Sequence, residues 1–223
     1  MDVAPNFRLP SDILQLSSGN AALLIPDALH RSLISLSNTL SDISHALNSV
    51  AKLFKYLNEN ESVPGFWTTE MVYFKNVLPV THEVLELPRY NLTNNESKET
   101  QVLREVIRKT CLLWLVLVKR RFFISPDGVL QHRDMLLQFL SEQHIDWTIS
   151  LQPLRLWIFV TLAVAFNAEF ESLYIAHIAS AMREMKLSSW TDAIVILKSI
   201  AWTNELGSNE LRKIGVQLCL SKE

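Results

Sequence analysis

The sequence predicts an all-α protein, a single-domain bundle of about seven to nine helices, and three observations carry that prediction. Apolar residues from Leu29 to Leu57 recur alternately four and three apart, the spacing of one helix face. Ser189-Trp-Thr-Asp192 sets a hydroxyl three residues before a carboxylate, so that each satisfies a free backbone amide at a helix start. No alternating apolar and polar run of strand length, bounded by turns, competes with these segments, and no internal repeat is visible.

In chain order, residues 1–25 read as an irregular segment and 26–223 as one helical domain. Pro26 opens a long helical pattern carrying Leu29, Leu33, Leu36, Leu40, Ile43, Leu47, Val50, Phe54 and Leu57. Such a 3.5-residue period is also the mark of a coiled-coil seam. The flanking positions (among them Ser32, Ser37, Ser44, Ala51 and Leu53) hold no charge to select a partner helix and widen the apolar stripe. A helix packed into its own domain is therefore expected, with a homodimer through the 29–57 helix as the alternative. The segment from Thr68 to Leu87 must end or kink at Pro79, as two short helices or one bent one. Residues 88–98 form a polar surface connection.

From Glu99 an amphipathic pattern turns continuously apolar to Val118, a helix expected to run from surface to centre. The cations Lys119-Arg-Arg121 complement the dipole at its end. Ser125-Pro-Asp-Gly128 is a turn, followed by a helix from about Val129 to Gln143. Further helices are expected over 153–168, 170–187, 189–205 and 208–219, the third ending near Gly207.

Composition narrows the function classes. With 223 residues, 48% apolar, five glycines and eight prolines, the chain can bury roughly 70–75% of its unfolded surface. A net charge of -2 gives no field to gather phosphate, so direct nucleic-acid binding is not expected. Two cysteines, Cys111 and Cys219, cannot build a four-thiolate metal site. The first reads as a small buried hydrophobe and the second as a surface thiol. Residues 1–20 lack the apolar stretch of a signal peptide, and the apolar run 111–118 is far short of a membrane span. No metal and no cofactor are expected.

Trp157 on a helix that is apolar nearly all round, then Trp190 after the serine of Ser189-Trp-Thr-Asp192, then Trp202 before a polar break, resembles the C-terminal half of fungal-specific transcription factor regulatory regions. The resemblance covers about Glu99 to Ile214. Where that family carries small glycines, this sequence has Val164 and Ala165. Six cysteines would be needed for the family's zinc binuclear cluster, so the DNA-reading module is expected to be absent. The resemblance implies residence in nucleus or cytoplasm and control of a gene set, often for secondary metabolism, exerted through protein partners or a small apolar effector.

Candidate site residues are few. The dinucleotide, P-loop, nucleophile-elbow and zinc-protease signatures are all missing. His30 and His45 lie about four helical turns apart and belong to no common metal site on spacing alone. Tyr174 and His177, three apart on one face with Glu171 a turn earlier, are the acid–base candidates should the scaffold be a cofactor-independent cyclase or isomerase. The competing reading is that both are packed inward with ordinary hydrogen-bond partners. Arg155, a lone cation near the start of an apolar helix, either snorkels to solvent or anchors an anionic group. Trp157 offers an aromatic wall for a flat apolar ligand, or simply core.

Overall fold

The structure is a computed structural model that describes residues 23–91, 96–122, 129–165 and 171–220. Among them there is no strand, and nine α-helices have seven residues or more: α1 (Asp27–Leu36), α2 (Ser41–Asn60), α3 (Leu78–Glu86), α4 (Lys98–Arg121), α5 (Val129–Glu142), α6 (Gln152–Ala165), α7 (Glu171–Glu184), α8 (Trp190–Ile200) and α9 (Asn204–Leu220). The all-α expectation holds. The turn at 125–128 and most of the N-terminal segment fall outside the described residues.

The expected unbroken helix from Pro26 through Leu57 is instead two. At Ser37 the backbone is extended (φ −165°, ψ 136°), and a 3₁₀ turn, Asn38–Leu40, joins α1 to α2. Ser37 supplies the local cause: its hydroxyl accepts from the Thr39 amide at 3.2 Å, offering the chain an alternative to the helix ladder. Arg104 of α4 supplies the tertiary one, donating to the Thr39 carbonyl at 2.6 Å and pairing with Glu96 and Asp42. The apolar seam survives the break. Leu29, Leu33, Leu40, Ile43, Leu47, Val50, Phe54 and Leu57 are all buried in the chain's own core, and Leu36, beside the break, is exposed. A partner helix would find this seam already covered.

Folding α1 back on α2 also corrects the separation of the two histidines. His30 donates to or accepts from Ser44 at 2.7 Å, and its ring lies edge-on to His45 with centroids 6.5 Å apart. Among the described residues no group of three His, Cys, Asp or Glu gathers to hold a metal.

After Gly65, which turns with φ +77°, short turns lead into a π turn, Tyr73–Val77, and then α3. Pro79 does not end the helical run. It sits in the first turn of α3, where its missing amide costs little, and the widened π turn precedes it.

Helix α4 starts at Ser97, whose hydroxyl accepts from the Thr100 amide at 3.2 Å, and it is the hub of the fold. The expectation that its first half lies at the surface is wrong: Gln101, Arg104, Glu105, Arg108 and Lys109 are all buried. Burial of these polar groups is made tolerable by opposite charge, since Glu105 receives Arg108 at 2.8 Å and Lys109 at 3.3 Å. The terminal Arg121 reaches Glu205 of α9 at 2.7 Å.

Tryptophans fill the centre. Trp114 of α4 lies edge-on to Trp202 (4.9 Å, 79°) and to Phe54 (5.5 Å, 70°), pairs that add about 1 kcal/mol each beyond area burial. Its indole donates to Thr161 of α6 at 2.7 Å, and that hydroxyl donates in turn to the Trp157 carbonyl at 2.7 Å. The capping box of α8 forms as expected. Its C-terminal end does not: the helix stops at Ile200, and Gly207 lies inside α9 rather than ending α8. Ala201 turns extended (φ −162°, ψ 114°) because remote groups hold the linker. Trp157 donates to the Ala201 carbonyl at 2.7 Å, while Asn58 of α2 donates to Trp202 at 2.8 Å and accepts from the Asn204 amide at 2.9 Å.

Candidate functional site

Helix α6 is apolar on nearly every side, so its one cation stands out. Gln152 is buried and donates to the Trp147 carbonyl at 2.6 Å. Arg155 and Phe159 follow at helical spacing on the same face. Helix α7 packs along α6 and brings His177 onto that face. Its ring stacks on Phe159 with centroids 3.9 Å apart and planes 6° from parallel. Arg155 Nη2 lies 3.0 Å from His177 Nδ1.

The proton bookkeeping follows from the arginine. A guanidinium only donates, so Nδ1 is the acceptor and the imidazole proton sits on Nε2. Burial lowers the His177 pKa and the Arg155 charge lowers it further, which keeps the ring neutral at physiological pH. Burial also lowers the Arg155 pKa, opposed by the charge of Glu184. Arg155 Nη1 is 3.5 Å from Gln152 Oε1, its Nε is enclosed without a partner, and no carboxylate among the described residues bonds to the group. Arg155 and His177 therefore form a patch of donors with an aromatic floor.

Of the other predicted site residues, Tyr174 is buried to 1% exposure. Burial pushes its phenol up to about 12, with Arg133 and Asp134 of α5 as the charges that modulate it. It thus belongs to the α5 side of α7 and His177 to the α6 side. Trp157 is fully enclosed with its indole N–H committed to Ala201, so it is a core pillar and presents no face to a ligand. Glu171 opens α7. The pairing of Arg155 with His177 and the Phe159 stack were not foreseen; only the Arg155–Phe159 spacing on α6 hinted at them.

A second concave surface lies between α8 and α9, a groove of about 670 Å³ that includes Trp190, Ile194, Lys198, Leu211, Arg212 and Val216. Trp190 donates its indole N–H to the Leu211 carbonyl at 2.9 Å. Gly215 lets the ring approach this closely, since a Cβ there would stand 2.6 Å from Trp190 Cδ1.

Fold and site together define an all-α multi-helix domain, and no helix among its described residues is long and apolar enough to cross a membrane. No known protein family, no curated protein and no solved structure matches the chain.

Proposed function

We propose that this chain is a non-enzymatic regulatory domain, similar to the regulatory regions of fungal-specific transcription factors but without a DNA-binding cluster in this sequence, which senses an anionic effector with an apolar body. It would act through protein partners, in nucleus or cytoplasm, on genes of the secondary-metabolism type. The tryptophan-bearing helical frame supports the regulatory setting.

One observation carries the effector reading: Arg155 is half-buried, keeps its charge without a carboxylate partner among the described residues, and is held in place by a neutral imidazole that is itself stacked on Phe159. The patch carries a positive charge that no carboxylate among the described residues neutralises, so it suits a carboxylate, and the rings of Phe159 and the adjacent Trp147 (6.5 Å between centroids) suit an apolar or aromatic body. Binding fits the patch better than turnover. The Tyr174 phenol, on the α5 side of α7, stays protonated across physiological pH, and His177 Nδ1 is occupied by the arginine.

The test is thermal denaturation with a panel of aryl and alkyl carboxylates alongside the matching amides. A carboxylate at a hundredfold over its Kd should raise Tm by roughly 5–10 °C, its amide should not, and Arg155→Gln should weaken binding at least tenfold. Equal response to acid and amide, or conversion of a panel member seen by mass spectrometry, refutes the reading.

A further inference from the structure

The groove between α8 and α9 shares no residue with the Arg155 patch and has chemistry of its own. Along α9 its lining recurs at Ser208, Leu211, Gly215, Val216 and Cys219, about three helical turns or roughly 16 Å. Trp190 and Ile194 of α8 form the facing wall. Beyond the rim Val195 remains 65% exposed, and Val216 is 57% exposed. Two charged residues line it, Lys198 and Arg212, both cations, and neither forms an ion pair or side-chain hydrogen bond among the described residues.

We infer that this groove is the docking site for an acidic amphipathic helix of a partner protein, about three turns long. Charge selects the occupant. A second copy bringing the same face would oppose Lys198 and Arg212 to their own kind, whereas a helix with an apolar stripe and flanking carboxylates neutralises both. Length and shape agree: the apolar stripe of such a helix repeats every three to four residues and lies along Trp190, Leu211 and Val216 as one helix in a two-helix groove. Gly215 sets the depth of that groove by leaving room for the pyrrole edge of Trp190 against α9.

The experiment uses the full chain and two labelled peptides of three to four turns, each with leucines at helical spacing. One carries glutamates at the flanking positions and the other lysines. Fluorescence anisotropy should show the acidic peptide binding at least tenfold more tightly than the basic one. The doubly reversed variant K198E/R212E should exchange that preference, and Val216→Glu should weaken the acidic peptide tenfold or more. All substituted positions are exposed or at the rim, and melting temperatures within about 2 °C of the parent verify that the fold is intact. Failure of the acidic peptide to bind at millimolar concentration, equal binding of both peptides, or indifference to K198E/R212E overturns the inference. So does a concentration-dependent dimer in sedimentation that Val216→Glu abolishes, because the groove would then belong to a second copy.

Discussion

Trp157 and Arg155 sit two residues apart on one helix and have opposite fates. Trp157 points into the centre, where its ring is enclosed and its N–H holds the Ala201 carbonyl at 2.7 Å. Arg155 points along the α6–α7 seam and keeps one side in water. Replacing Trp157 by Phe removes a buried donor and leaves a void beside the α8–α9 linker. The expected cost is about 2–4 kcal/mol, a fall in Tm of roughly 4–16 °C, measurable by circular dichroism melting. A ligand-holding tryptophan would behave the other way, losing affinity at unchanged Tm. The tryptophans could be recognised in the sequence as anchors. Which of them face the core could not, because a helix apolar on all sides has no direction written into it. His177 gave the same trouble, since its partner Arg155 comes from a neighbouring helix.

At the scale of elements, what was legible depended on whether the signal was local. The start of α8 was readable because Ser189 and Asp192 satisfy each other within one turn. Its end was not, because Asn58, far back in the chain, ties off the linker. At the α1–α2 junction the local signal, Ser37, is masked by apolar spacing that runs straight through it, and the tertiary signal comes from α4. There Arg104 clamps Thr39, Asp42 and Glu96 into one cluster, joining the junction and the segment before α4 to the hub helix. Arg104 holds the Glu96 carboxyl below its ordinary value of 4.5, and the Thr39 hydroxyl adds to this. Because the folded pKa is lowered, the unfolded chain binds the proton more tightly, so the stabilisation is complete above about 4.5 and is lost as pH falls through the lowered value. Urea midpoints measured from pH 6 to pH 3 should therefore drop more steeply for the parent than for Glu96→Gln. Parallel curves for the two proteins would show that the clamp does not couple to folding.

For the molecule as a whole, the fold class was legible because helical spacing and the lack of strand patterns repeat along most of the chain. The internal charges of α4 were not, because an amphipathic sequence says which side is polar and not whether that side is covered. Here it is covered: Arg108 is fully buried, Lys109 nearly so, and Glu105 answers both. The hub helix thus carries an ionic layer into a core built mostly of aliphatic and aromatic side chains. Glu105→Ala takes away the carboxylate shared by two enclosed cations, and the expected loss is about 3–5 kcal/mol, lowering Tm by roughly 6–20 °C. The double variant Glu105→Leu with Arg108→Met takes away one cation together with the carboxylate and fills the space with apolar atoms. Desolvating an ion pair costs about as much as the pair returns, so the double variant should melt well above the single one. If both melt alike, the stranded Arg108 charge is not what destabilises the single variant, and the loss lies in what both variants remove, the hydrogen bonds of Arg108 to Glu105 at 2.8 and 2.9 Å.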